Sequence, residues 1–241
     1  MAQRLDRSRS VKLLEVGCAT GEFYRYLCLR YPKVIYCGID ISEPAITRAR
    51  DKYPKGKVFV GRPEVSIPDT LRDLQLQETY EVAYASDVVL HQIRPFEFIS
   101  ELLSVAAEMV IFKCRTRDVG QTETDPEQSC QYQAHYGTWV PYMVINLDEL
   151  IAHIRSGAAE SEIVVHRNHM ILGGQNNRYL PKDCYLKETG TAVAAVGVFL
   201  DTDHPGRVSV ENRQDGRWSF TLGYRVRHLI YRMRRKVGLA S

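Results

Sequence analysis

Short apolar runs alternate with segments of helical periodicity along most of this chain, and that alternation constrains its fold more than any other feature. The run at residues 34–39 is nearly all apolar, which is typical of a parallel strand covered on both faces. The pattern therefore predicts an α/β protein built on a mostly parallel sheet. Strands are predicted at residues 11–16, 34–39, 58–60, 80–85, 109–114, 161–165 and 192–200.

The composition excludes several classes of protein. Of 241 residues, 44% are hydrophobic and 25% are charged, which is enough for a sizeable core and rules out a disordered chain. No apolar run approaches the roughly 20 residues of a membrane-spanning helix, and residues 1–10 lack the apolar core of a signal peptide. We therefore expect a cytoplasmic protein. The six cysteines form no C-x-x-C pair, so we predict reduced thiols and no metal site.

The first predicted strand runs into a glycine-containing turn, Gly17-Cys-Ala-Thr-Gly21, that opens a helix. Glycine lets a ligand approach the backbone closely, and the free N–H groups of a helix start favour a negatively charged ligand group. Asp40 ends the second strand, where a carboxylate can accept both hydroxyls of an adenosine ribose. The turn departs from the G-x-G-x-x-G of nicotinamide enzymes, so it fits that class of protein poorly.

These residues resemble the class I S-adenosylmethionine-dependent methyltransferases. The family's first motif is similar to residues 15–21, its ribose-binding acid to Asp40, and its fourth-strand motif to residues 84–93. The resemblance covers about residues 11–114. It implies S-adenosyl-L-methionine as cofactor and a three-layer, doubly wound, Rossmann-like α/β fold, with a mostly parallel seven-stranded sheet whose last strand is antiparallel. The implied cofactor-binding residues are Glu15, Gly17, Cys18, Ala19, Gly21, Asp40, Ile41, Glu64, Ser86 and Asp87.

Two positions differ from the family's pattern. Ala19 stands where the first motif has its middle glycine. After the third strand, where the family often places an acid near the adenine amine, the chain has Arg62. Glu64, two residues later, is therefore assigned to the adenine contact.

Two histidines are candidates for a catalytic base. Methyl transfer is an in-line displacement on a sulfonium carbon, and a hydroxyl acceptor must also lose its proton. A histidine with a pKa near 6.5 suits that task. His91 follows the fourth strand at the ligand-binding edge of the sheet and is the first candidate, and His135 is the second. A structural, hydrogen-bonded role for His91 is the alternative.

The predicted domain organisation is a methyltransferase domain over residues 1–204 with an inserted segment at 115–146, followed by an extension at 205–241. The insertion is rich in aromatic residues, and we predict that it caps the acceptor pocket and stacks on a ring or sugar. Arg115 and Arg117 are candidates for recognising a carboxylate or phosphate of the acceptor, with solvation as the alternative.

The extension carries a hairpin signal at Asp215-Gly216 and a basic amphipathic segment at residues 223–241. That segment has six basic residues and no acidic one, which leaves 26 basic against 29 acidic residues in the rest of the chain. Its apolar stripe either docks on the domain or meets a partner. The partners considered are the inner membrane surface, RNA and another protein.

The sequence thus predicts methyl transfer to oxygen of a small molecule or saccharide. Two alternatives stay open at this point: an RNA methyltransferase, and a non-catalytic scaffold that keeps the fold. Strand four lacks the Pro-Pro-aromatic sequence that receives a flipped amino base, which disfavours the first alternative. A homo-oligomer is also left open.

Overall fold

A computed structural model describes residues 9–134, 137–173 and 177–213 of the chain. In the first half, strands and helices alternate as the hydrophobic pattern predicts. The strands are β1 (Val11–Val16), β2 (Val34–Asp40), β3 (Lys57–Val60), β4 (Tyr80–Ala85) and β5 (Ala106–Arg117). The helices are α1 (Glu22–Arg30), α2 (Glu43–Lys52), α3 (Ile67–Asp73) and α4 (Pro95–Ser104).

The second half contributes more strands than helices. Its strands are β6 (Cys130–Gln133), β7 (Thr138–Pro141), β8 (Ile145–Asn146), β9 (Glu162–His169), β10 (Arg178–Tyr179), β11 (Ala192–Phe199) and β12 (Val208–Arg213). One further helix, α5 (Leu147–Gly157), begins at the Asn146 cap, whose side chain accepts from the N–H groups of Asp148 and Glu149.

The main sheet has the strand order β12-β9-β11-β5-β4-β1-β2-β3. All of its pairings are parallel except those of β11, which is antiparallel to both β5 and β9. The predicted fold class is therefore confirmed, with the last of the seven predicted strands reversed. Two strands were not among the seven: β8, which adds to the end of β5, and β12, which pairs in parallel with β9.

Helices cover both faces of this sheet and create two cores. Adjacent residues of β1 point to opposite faces, so Leu13 packs with Leu27 of α1 and Ile46 of α2, whereas Leu14 packs in the cluster of α3, α4 and α5. Both leucines are fully buried. The carboxyl ends of β1, β2 and β4 consequently meet at one edge between these layers, where open α/β sheets bind ligands.

The inserted segment forms a second, three-stranded sheet, which we call the cap. β6 and β7 make an antiparallel hairpin, and β10 pairs with β6 from the later connection between β9 and β11. The cap therefore extends beyond the predicted 115–146 insertion. Its exposed face carries Tyr132, Trp139 and Tyr179, and the Trp139 ring contacts both tyrosine rings.

Several predictions fall on residues outside those described. They are the second candidate base His135, the partner strand of the hairpin after Asp215-Gly216, and the basic segment 223–241. All six cysteines are described, and each has a free thiol. Within the described ranges, no helix is both long and apolar enough to cross a membrane.

Candidate active site

The turn between β1 and α1 lies tightly against the loop that follows β4. Gly17 has φ +80°, and its N–H donates to the carbonyl oxygen of Ile39 at 2.7 Å. A Cβ at this position would come within 2.2 Å of Cγ2 of Val88. Only glycine fits both the left-handed conformation and the contact, so the turn leaves its backbone open to a ligand.

Asp40, at the end of β2, ties this turn to the start of α2. One carboxylate oxygen accepts from the N–H of Ala19 and the other from the N–H of Ser42, each at 2.8 Å. Each oxygen keeps a further lone pair, so the carboxylate can also accept from two hydroxyl groups. The residue assigned to the ribose thus shapes the turn as well.

Ala19 itself adopts the left-handed conformation, with φ +45°. For a residue with a Cβ this conformation costs about 1–2 kcal/mol, whereas glycine adopts it freely. Since glycine also raises the entropy of the unfolded chain, we expect Ala19→Gly to raise the free energy of unfolding by only about 0.5–1 kcal/mol. Urea unfolding measures this change, and a decrease in stability would contradict the strain assigned to Ala19.

A cavity of about 860 Å³ opens at this edge of the sheet, in the upper part of the usual range of about 300–1,000 Å³ for ligand clefts. The β1–α1 turn, the ends of β2 and β4, the loop after β3 and the cap together enclose it. Its size leaves room for a small acceptor beside a cofactor. The predicted site residues that line it are Gly17, Ala19, Asp40, Ile41, Glu64, Ser86, Asp87 and His91.

Three predicted cofactor residues do not line the cavity. Gly21 closes the turn, where its N–H donates to the carbonyl oxygen of Cys18 at 2.9 Å. Cys18 and Glu15 are buried beneath the turn, and Tyr36 donates its hydroxyl to Oε2 of Glu15 at 2.5 Å. These residues support the turn from below, and their contact with a cofactor stays a prediction.

Burial raises the pKa of Glu15 from its ordinary value of 4.5 to about 7, although the hydrogen bond from Tyr36 opposes the shift. Because the fold favours the protonated carboxyl, the free energy of unfolding falls as the pH rises from about 4.5 to 7. We expect Glu15→Gln to remove this fall and to be more stable than the parent by about 1–3 kcal/mol at pH 8.

Thermal unfolding of both proteins between pH 4.5 and 8 checks this expectation. The parent and the variant should have similar stability at the acid end and diverge toward the alkaline end. A constant difference across that range would contradict the raised pKa.

His91 lies in a short 3₁₀ turn after β4 and is held by the cap. Its Nδ1 lies 2.7 Å from the carbonyl oxygen of Pro141, and because a carbonyl only accepts, Nδ1 carries the proton. Nε2 therefore carries the lone pair of the ring, to which the side-chain amide nitrogen of Gln133 donates over 3.4 Å. The ring is thus fixed in the tautomer that a general base requires.

The surroundings also keep His91 neutral. Burial lowers its pKa below 6.5, and the positive charge of Arg115 acts in the same direction. The Pro141 carbonyl and Asp87 oppose this shift. The imidazole is therefore ready to accept a proton at neutral pH, and we expect activity to fall as the pH decreases through a value below 6.5.

The arginines near the site are engaged with protein groups. Arg62 pairs with Asp73 of α3 at 2.6 Å, which leaves Glu64 as the acid in the loop after β3. Arg115 and Arg117 do not line the cavity. The first pairs with Asp87 and the second with Asp183, so neither has the placement expected for binding an anionic acceptor.

The cap supplies lining residues that were not predicted individually. The residues are Gln133, Thr138, Val140 and Pro141. Three described aromatic residues that suggested stacking on an acceptor lie elsewhere: Tyr132 and Trp139 are on the exposed face of the cap, and Tyr142 is buried in a small core with Leu90. Among the described residues, no group of three or more His, Cys, Asp or Glu side chains could hold a metal ion.

Comparison with known proteins agrees with this geometry. The model of a family described as "Methyltransferase domain" matches residues 14–109, which contain the glycine turn, Asp40 and His91. No match was found among curated proteins.

Three solved structures have similar folds. The N-terminal domain of EvdMO1 with S-adenosylhomocysteine bound has a TM-score of 0.52 and 14% identity, covering 78% of this chain and 74% of that one. The O-methyltransferase of a trans-AT polyketide synthase multienzyme of Brevibacillus brevis, also with S-adenosylhomocysteine, has a TM-score of 0.53 and 14% identity, covering 81% and 68%. An S-adenosylmethionine-dependent methyltransferase from Clostridium acetobutylicum has a TM-score of 0.51 and 11% identity, covering 80% and 85%.

The fold and the cavity at its carboxyl edge are those of class I S-adenosylmethionine-dependent methyltransferases. Residues 14–109 match the methyltransferase domain in sequence as well, and this stretch contains the glycine turn and Asp40. The residues present fit this cofactor, because the left-handed turn leaves open backbone and Asp40 has acceptor capacity beside it.

Proposed function

We propose that the chain methylates a hydroxyl oxygen of an uncharged small molecule, of which a saccharide is the leading example. The observation that carries this proposal is the state of His91, which lines the cavity and whose Nδ1–H is held by Pro141, so that Nε2 carries the lone pair; its contact with the Gln133 amide, at 3.4 Å, is long enough for an acceptor hydroxyl to displace. A neutral imidazole nitrogen beside the cavity suits a hydroxyl acceptor, which must lose its proton, better than an amine, which attacks through its own lone pair.

The cofactor, when bound, supplies an electrophilic methyl group. The protein's own residues do the rest: Nε2 of His91 accepts the proton of the acceptor hydroxyl, and Asp40 and the β1–α1 turn hold the adenosyl portion in place. The cap encloses the site, so that the two reactants are held in contact geometry and water is kept out.

The charges around the cavity favour an uncharged acceptor. Among the charged side chains that line the cavity, carboxylates outnumber guanidinium groups. Both lining guanidinium groups are already in ion pairs, Arg62 with Asp73 and Arg94 with Glu97 at 3.0 Å. An anionic acceptor would meet no unpaired cation among the described lining residues and would be repelled by the carboxylates. The lining carboxylates are Asp40, Glu64, Asp87, Glu97 and Glu101.

The cap residues at the cavity are suited to polyols. Gln133 offers an amide and Thr138 a hydroxyl, both of which exchange hydrogen bonds with sugar hydroxyls. The EvdMO1 domain was also crystallised in the presence of S-adenosylhomocysteine and D-fucose. That observation concerns EvdMO1, and it supports testing deoxy sugars first.

The test is release of S-adenosylhomocysteine from S-adenosylmethionine in the presence of matched acceptors: neutral sugars and glycosides, their uronates and phosphates, and an RNA oligonucleotide. We expect turnover with a neutral member and an O-methyl product by mass spectrometry and NMR. Turnover confined to anionic members would contradict the charge argument, and an N- or C-methyl product would contradict methyl transfer to oxygen. Turnover on RNA would favour the nucleic-acid alternative.

A further inference from the structure

We propose that Arg115 is a positioning residue for methyl transfer, a buried link that joins the loop after β4 to the cap and so fixes His91 between them. This inference rests on the proposed role of His91 as general base. Arg115 lies on β5, 24 residues from His91 in the chain, and touches neither the cavity nor the imidazole in hydrogen-bond geometry.

One end of the link holds the loop after β4. Nη2 of Arg115 donates to Oδ1 of Asp87 at 3.2 Å. Asp87 has φ +57°, a left-handed conformation that aspartate adopts more readily than most non-glycine residues but that still costs free energy. Because this loop runs directly into the 3₁₀ turn that carries His91, the ion pair helps to set where the imidazole lies.

The other end holds the cap. Nε of Arg115 donates to the hydroxyl of Tyr142 at 2.9 Å, and the Tyr142 ring also contacts the guanidinium of Arg178, 4.5 Å from the ring centroid. Tyr142 directly follows Pro141, whose carbonyl accepts the Nδ1 proton of His91. Two hydrogen bonds to Ser129 fix the backbone of Tyr142. Its N–H donates to the Ser129 carbonyl oxygen, and its carbonyl oxygen accepts from the Ser129 hydroxyl.

The interactions of Arg115 are strengthened by the burial of its side chain. The Arg115 side chain is 14% exposed, and its Nη1 is buried without a hydrogen-bond partner among the described residues. Exposed ion pairs contribute little, but a largely desolvated guanidinium with two fixed partners holds them in one geometry. Such placement of a charge costs free energy, which is consistent with a functional reason for keeping it.

The charge of Arg115 also reaches His91. In the described structure, the charged groups that act on the imidazole are Arg115, which lowers its pKa, and Asp87, which raises it. The cap contributes only the Pro141 carbonyl and the Gln133 amide at the ring. Removal of Arg115 therefore raises the pKa of His91 in two ways, by taking away a cation and by leaving Asp87 less neutralised.

Lys113 provides a matched control. It lies two residues earlier on the same strand and also pairs with Asp87, at 3.7 Å, but its side chain is 44% exposed. No hydrogen bond joins Lys113 to the described part of the cap. Lys113→Met removes a positive charge near Asp87 and leaves the connection to Tyr142 intact.

The experiment compares Arg115→Met with Lys113→Met by pH-rate profiles and by NMR titration of the His91 ring, assigned with His91→Asn. We expect Arg115→Met to lower kcat at least tenfold and to move the titration of His91 to higher pH. The kcat of Lys113→Met should stay within about twofold of the parent value. Equal behaviour of the two variants, or an unchanged His91 titration in Arg115→Met, would overturn the proposal.

Tyr142→Phe keeps the ring and removes only the hydroxyl, so it tests the cap end if Arg115→Met fails to fold. Tyr142→Phe should lower kcat severalfold when introduced into the parent protein. Introduced into Arg115→Lys, which keeps the positive charge but lacks the Nε donor, it should lower kcat little further. Additive effects would contradict a shared link. Full activity of His91→Asn would refute the proposed base itself, which distinguishes that failure from a failure of Arg115 alone.

Discussion

Replacing His91 by asparagine is expected to lower the rate of methyl transfer by about 10²–10⁴-fold, the usual contribution of a positioned general base. The loss should appear in kcat because the acceptor hydroxyl is no longer deprotonated. The affinity for S-adenosylhomocysteine should change less than about threefold, because the β1–α1 turn and Asp40 are untouched. Single-turnover kinetics and calorimetric titration measure the two quantities separately.

His153 is the matched control for this substitution. It is also partly buried, and its Nε2 lies 2.9 Å from the hydroxyl oxygen of Ser100 on α4, but it does not line the cavity. His153→Asn should therefore retain the parent rate. If His91→Asn kept more than about half of the parent activity across the pH range, His91 would not be the base.

Replacing Asp40 by alanine is expected to weaken cofactor binding by at least about tenfold. The change removes the acceptor assigned to the ribose hydroxyls, and hydrogen bonds to a charged group contribute about 1.5–3 kcal/mol. It also frees the N–H groups of Ala19 and Ser42, so the glycine turn loses the contact that holds it against β2. Both effects act in the same direction, which makes this the largest binding effect we expect from one residue.

Isothermal titration with S-adenosylhomocysteine measures this change. Asp51→Ala is the control, because Asp51 is an exposed carboxylate on α2, the helix that follows Asp40. Asp40→Asn should fall between parent and alanine, since an amide offers one acceptor oxygen in place of two. Unchanged affinity in Asp40→Ala would remove the basis of the ribose assignment.

The central sheet could be predicted closely from the sequence because its signals are local. Short, mostly apolar runs identified β1 and β4 with the bounds found in the structure, and the turn residues Gly17 and Gly21 fell where a positive φ is required. Helix α3 and the short strands of the cap were not predicted. Their segments are too short to show a clear period, and their pairing is decided by tertiary contacts.

The sequence predicted only those parts of the candidate site that depend on a short motif or on the end of a strand. Gly17, Asp40 and His91 could be placed at one edge because parallel strands end together. The partner of His91 could not, since Pro141 lies 50 residues away and contributes a backbone carbonyl, which any residue type could provide. Glu15 is a different case. A local motif selected it as a cofactor residue, but a motif does not say whether a side chain points into the cavity or, as Glu15 does, lies buried beneath the turn.

The hydrogen bond between the His91 imidazole and Pro141 couples the position of the cap over the cavity to the ability of His91 to accept a proton. The group that orients the proton acceptor belongs to the cover of the cavity and not to the sheet below it. Displacing that cover would free the ring to change tautomer at the same moment that solvent entered. We therefore expect the base to be fully competent only in the enclosed state, so that a bound methyl donor is not exposed to an activated water molecule before an acceptor arrives.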